Sequence, residues 1–263
     1  MIRKTTRSIL SVLLAALLLV TSIPLTPAFA DGGAVSPQSA NNESRELEQD
    51  RDGTYLIYTA ENLKEFADIV NGTHAEGINQ NTSANAKLMN DIDLNGSEEN
   101  PWTPIGNSSQ QYSGTFDGDG HTISGLYINN SRANDQGLFG YVSGGTVKDL
   151  SVSGDISGHW FVGGVVGYNS SGTVTGCIFS GSGSVSGGED VGGVVGYNGT
   201  DATVSNCYNT GTVTGTVDSV GGVVGWNSSS GTVTNCYNTG AVSGGVDVGG
   251  VVGWNSSSGT GEN

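Results

Sequence analysis

Four aromatic residues have the spacing most suggestive of chemistry. Tyr168, Tyr197, Trp226 and Trp254 each close a Gly-Gly-Val-Val-Gly segment and stand 29, 29 and 28 residues apart. Side chains repeated at one fixed interval fall in line when the repeats stack. A line of rings offers a platform for sugar rings or a protein partner, or an internal support if the rings stack on one another. Cys177, Cys207 and Cys236 repeat at nearly the same interval. No basic residue adjoins them to lower a thiol pKa, so they read as a buried column, and distance does not forbid a Cys207–Cys236 disulfide. Asp91 and Asp93 lie two apart on one strand face. They could pair as acid and base in a polysaccharide-cleaving enzyme, but a solvated strand face is the simpler reading. Asp117-Gly118-Asp119-Gly120-His121 begins like a calcium loop yet lacks the later acidic ligands and the closing Glu, so it reads as a turn. His74, His121 and His159 are scattered, without a His-Glu-x-x-His pair. No catalytic residue, metal site or cofactor is predicted. Gly-x-Gly strings say nothing about nucleotides in a chain with 44 Gly among 263 residues.

The elements that would hold the aromatic line are repeats. Val162-Gly163-Gly164-Val165-Val166-Gly167-Tyr168-Asn169 recurs from Val191, Val220 and Val248, the last two copies ending in Trp-Asn. Between these blocks runs Gly172-Thr173-Val174-Thr175-Gly176-Cys177, repeated at 202–207 and 231–236, with Gly145 to Leu150 as its first copy. Units of short Val/Thr strands cannot bury their valines alone, but stacked copies share one core. In-register copies form parallel sheets that rise about 4.8 Å per coil. Propeller blades need a longer repeat, and the Leu/Asn frame of leucine-rich repeats is missing. The prediction is an all-β chain, a right-handed parallel β-helix (β-solenoid) of repeats of about 29 residues. Val204 and Cys207 are separated by two residues, which strict alternation would place on opposite faces. A left-handed corner at Asn206 lets both point inward. Tyr208 and Tyr237 then face outward.

Upstream, Leu63, Phe66, Ala67 and Val70 give one apolar helical face, between an N-cap at Thr59 and a stop at Asn71-Gly72. This helix is predicted to cap the solenoid. Residues 1–30 read as an export signal. Arg3, Lys4 and Arg7 precede an apolar run from Ile9 to Val20, and Ala28-Phe29-Ala30 suits cleavage. The run is too short to span a bilayer, so no membrane insertion is expected after cleavage. The organisation is a signal at 1–30, a flexible acidic leader at 31–53, a cap with the first coils at 54–130, and repeats at 131–263. The whole chain carries 9 basic and 25 acidic residues, a net charge of −16. Losing three basic residues with the signal leaves 6 − 25 = −19. Such a chain has no electrostatic footprint for nucleic acid.

Gly137-Leu138-Phe139-Gly140 and the four Gly-Gly-Val-Val-Gly blocks, each paired with a Gly-Thr-Val-x-Asn-Cys type segment, resemble the GLUG-motif repeats of secreted and cell-surface bacterial proteins. These include adhesin-like proteins and the non-catalytic regions of immunoglobulin A peptidases. The resemblance covers 130–263, and the segment 55–130 is similar to the leader before such repeats. It implies a secreted or wall-associated, non-enzymatic stalk that binds a glycan or a host or cell-surface protein. The alternatives are an accessory region of a longer secreted peptidase and a polysaccharide-cleaving β-helix enzyme. The last repeat stops midway, so continuation into further repeats or domains is expected.

Overall fold

The structure is a computed structural model that describes residues 46–75, 78–256 and 260–262. The expected export signal and most of the leader lie outside the described residues. Among the described residues the fold is a β-solenoid with one helix. One side is a ladder of parallel three-residue strands: Tyr55–Ile57, Ala86–Leu88, Thr115–Asp117, Thr146–Lys148, Thr173–Thr175, Thr203–Ser205, Thr232–Thr234 and Thr260–Glu262. A second sheet carries the longest strands, including Thr122–Asn129, Ser184–Gly192 and Thr212–Gly221. The third stacks Phe139–Val142, Val166–Asn169, Val195–Asn198, Val224–Asn227 and Val252–Asn255.

Repetition sets the register. Val147, Val174, Val204 and Val233 pair rung to rung, and all are buried. A fully buried Val contributes about 1.5–3 kcal/mol, so this column alone outweighs any single surface contact. The predicted corner is present. Asn206 and Asn235 have φ of 54° and 53°, with Asp149 and Gly176 in the same left-handed conformation on the rungs before. The turn points Leu150, Cys177, Cys207 and Cys236 into the core beside the valines. The three thiols are free. Gly164 sits where the chain packs against itself: a Cβ there would lie 2.3 Å from the Phe179 ring and 2.4 Å from the Gly193 carbonyl oxygen.

Helix α1, Ala60–Asn71, closes the N-terminal end of the core. Thr59 accepts the Asn62 N–H as N-cap, and Gly72 ends the helix with φ 72°. The inward stripe adds Ile69 to the predicted set, and Phe66 meets Tyr55, Tyr112 and Phe116 at ring-centre distances of 5.7–6.2 Å. Part of the expected leader is built into the fold. Glu48–Gln49 pairs antiparallel with Leu56 and Tyr55, across a turn in which the Asp50 carboxylate accepts the Asp52 and Thr54 N–H groups. The loop 102–106 pairs through an isolated bridge from Ile105 to Phe139.

Candidate functional site

The aromatic residues fall in line, and the line starts one rung earlier than the sequence suggested. Tyr141, Tyr168, Tyr197, Trp226 and Trp254 occupy matched positions on five successive strands. Tyr141, Tyr168 and Tyr197 stack at 4.5 Å with interplanar angles of 12° and 19°. Tyr197–Trp226 and Trp226–Trp254 are tilted contacts at 6.0 and 5.9 Å. The three tyrosines therefore present their faces to one another, whereas the two tryptophans are canted. Trp254 is the most exposed, at 42%.

A second column runs beside the rings. Asp135, Phe161, Asp190, Ser219 and Asp247 each precede a matched strand residue and share φ between 49° and 59°. Phe161 packs edge-on against Tyr168 and Tyr197. Burial pushes the Asp135 carboxyl up to about 6. Burial also raises Asp190, helped by Glu189 and Asp218 and opposed by the Ser219 hydroxyl, to about 7. Asp190 is 4% exposed, and its Oδ1 has no hydrogen-bond partner; neither has the buried Trp226 Nε1. Burial, with the neighbouring phenols and Asp135, also raises the Tyr168 hydroxyl.

Behind the rings runs an amide ladder that the sequence did not announce. Asn169, Asn198 and Asn227 are fully buried, and each Nδ2 donates to the Oδ1 one rung on, at 2.8–2.9 Å, ending at Asn255. These asparagines belong to Asn-x-Ser/Thr sequences, so burial of the first three keeps their amides from modification in the folded chain. Asn209 and Asn238 form a second ladder at 2.8 Å. Asparagine at a strand end reads as a turn former; only a strict repeat at the same interval hints at a ladder.

The remaining candidates scatter. Asp91 accepts from His121 Nδ1 at 3.1 Å and from the Thr122 N–H, which together hold its carboxyl below the usual range; Asp93 accepts the Asn95 N–H. Both point to solvent. Asp117 accepts from Lys148 and from the Asp119 N–H, inside the predicted turn. Each thiol donates to backbone carbonyls; the Cys177 thiol raises Cys207 and the Cys207 thiol raises Cys236, in both cases with burial, well above the ordinary thiol range, the Cys236 thiol opposing the shift at Cys207. Tyr208 and Tyr237 stack at 4.7 Å on the outer face. Among the described residues no group of three His, Cys, Asp or Glu side chains could hold a metal ion, and no helix is long and apolar enough to cross a membrane.

The family model for the GLUG motif matches residues 187–214 and 218–243. Halomucin of Haloquadratum walsbyi is 34% identical over 134 residues, covering 48% of this chain and 1% of that protein. A protein of Evansella cellulosilytica named as a Gly-rich membrane protein is 35% identical over 109 residues, covering 40% of this chain and 12% of that one. The chain thus spans a small part of the curated relatives it matches. The solved structure of a Bacteroides ovatus protein named as an immunoglobulin A1 protease shares the fold, with TM-score 0.63 and 22% identity over 80% of this chain and 64% of that one. Each matched segment spans about one coil of the stacked register, so the match to the GLUG motif is a match of two successive coils, 187–214 and 218–243.

Proposed function

We propose that the chain is a non-enzymatic module of a secreted or cell-surface protein, a stiff stalk with adhesin-like binding of a glycan or protein. One observation carries the reading: the repeated polar and aromatic side chains are engaged by their own copies one rung away. The Asn169–Asn198–Asn227–Asn255 ladder and the Tyr141–Tyr168–Tyr197 stack are the clearest cases. Side chains committed to neighbours along one axis make a rod resistant to bending. The export signal expected from residues 1–30 supports placement outside the cytoplasm, as do the relatives, one of them named as a membrane protein.

Antibody labelling of intact cells, with assay of the culture medium, tests the placement. Signal on the surface or in the medium, on a product lacking residues 1–30, is the expected result. Uncleaved chain confined to the cytoplasm would overturn it.

A further inference from the structure

The ring column is the obvious place to seek a glycan, but its three tyrosine faces are already covered by one another. A different place has free polar groups. A groove of about 560 Å³ opens where the C-terminal end of α1 meets the loops 103–110 and 132–136. Its volume lies within the roughly 300–1,000 Å³ typical of small-molecule sites.

The groove is held open by a rigid floor. Asn71, the last residue of α1, donates through Nδ2 to the Pro104 carbonyl at 3.0 Å and accepts the Gly106 N–H on Oδ1 at 2.9 Å. The Asn107 side chain fixes the loop above by accepting the Ser109 and Gln110 N–H groups. The side chains of Gln110, Arg132 and Asp135 that line the groove have no hydrogen-bond or ion-pair partner among the described residues. Asp135 is the least comfortable of them. Its carboxyl is half-buried, and burial raises it with no donor opposing the shift. A desolvated acceptor of this kind gains most from hydroxyl groups brought to it. Asp135 also stands next to the ring column, since its charge acts on Tyr168. It holds the position that Phe161 fills one rung later.

We propose that this groove binds a neutral carbohydrate unit, with Asp135 accepting from sugar hydroxyls and Arg132 and the Gln110 amide donating to them. The inference rests on the adhesin-like reading and gives it a location and a ligand class. One carboxylate and one guanidinium leave the lining without net charge, among uncharged donors and acceptors such as Asn107, Ser108 and Asn134. A bare cation would lack further acidic ligands. An anion would face both Asp135 and a chain of net charge −16. A peptide would need apolar pockets for alternate side chains, and Pro104 carries the one fully apolar side chain in this lining.

The test is a panel of immobilised neutral, sialylated and sulfated oligosaccharides probed with the full secreted chain, followed by titration of the best neutral ligand. Retention of a neutral glycan is expected. Asp135→Ala and Gln110→Ala should each weaken it at least about tenfold, a loss on the scale of a removed polar contact to a buried partner. Trp254→Ala, at the exposed end of the ring column, should leave it unchanged. Gln110 lies on a partly exposed loop, so its variant keeps the test valid if Asp135→Ala folds poorly. Retention of only anionic glycans, or of none, would overturn the proposal. So would neutral binding lost in Trp254→Ala but kept in both groove variants. A negative panel with the chain still labelled on intact cells would remove this site and leave the stalk standing.

Discussion

Asp190 gives the sharpest prediction, because its neighbours in register supply the control. It is 4% exposed in a left-handed backbone conformation, with one carboxylate oxygen unpartnered. Its equivalent one rung on is Ser219, with φ of 55° against 54°. Asp190→Ser therefore places a residue that the repeat already uses on a backbone that accepts it. The carboxyl is raised from 3.8 to about 7. A shift of about three units corresponds to roughly 4 kcal/mol. The sign follows from proton binding. Below about pH 4 the group is protonated in both states and costs nothing. As pH rises the unfolded chain releases the proton first, so stability falls until the folded group also ionises near pH 7, and is level above that. Glu189 and Asp218 face the same group and add to the cost; the Ser219 hydroxyl lessens it. Asp190→Ser should thus be more stable than the parent by roughly 2–4 kcal/mol at about pH 8, and close to it at about pH 4. Urea unfolding at the two pH values, followed by tryptophan fluorescence from the Trp226 and Trp254 rungs, measures both. Equal losses of stability with pH in parent and variant would refute the reasoning, because Asp190 would then titrate as it does in the unfolded chain.

The other predictions concern the columns. Asn198→Ala should cost roughly 2–4 kcal/mol by thermal melting, because it strips the buried Asn169 amide of its acceptor and Asn227 of its donor; a loss below about 1 kcal/mol would mean the ladder is decorative. In Gly164→Ala a new Cβ would meet the Phe179 ring at 2.3 Å and the Gly193 carbonyl oxygen at 2.4 Å, so this variant should unfold at a clearly lower temperature than the parent, and an unchanged melting temperature would contradict the close packing. Cys177, Cys207 and Cys236 should resist a disulfide-exchange reagent at neutral pH and react together once urea unfolds the chain; prompt reaction of the native protein would contradict their burial.

What could be read from sequence was whatever repeated by identity. The stacked register follows from Val-Gly-Gly-Val-Val-Gly, and the inward Cys column follows from the two-residue gap between Val204 and Cys207 that only a corner at Asn206 can absorb. Helix α1 was legible because its caps and stripe are local. The asparagine ladder repeats by identity yet escaped, because asparagine at a strand end reads as a turn former; another column escaped because it repeats in backbone but not in residue type. Asp135, Phe161, Asp190, Ser219 and Asp247 look unrelated until one φ value unites them. The groove escaped for a different reason, since Asn71, Gln110 and Asp135 come from three segments that only the fold brings together. The column Tyr168, Tyr197, Trp226 and Trp254 was legible, with mutual ring stacking as one of its readings, but its extension one rung back to Tyr141 was not.

The asparagine ladders have a further consequence. In both, every Nδ2 donates in the same direction, from Asn169 toward Asn255 and from Asn209 toward Asn238. Within these two ladders the amide dipoles add along the stacking axis, while the exposed Asn235 amide donates the other way, to Asn206. A coil inserted upside down would set donor against donor. A coil of fractional length would break the amide, ring and thiol columns in the same stroke. Gene duplication can lengthen such a solenoid only in whole coils, each advancing its end by about 4.8 Å. Its reach is quantised, and single-residue insertions are confined to the turns between columns.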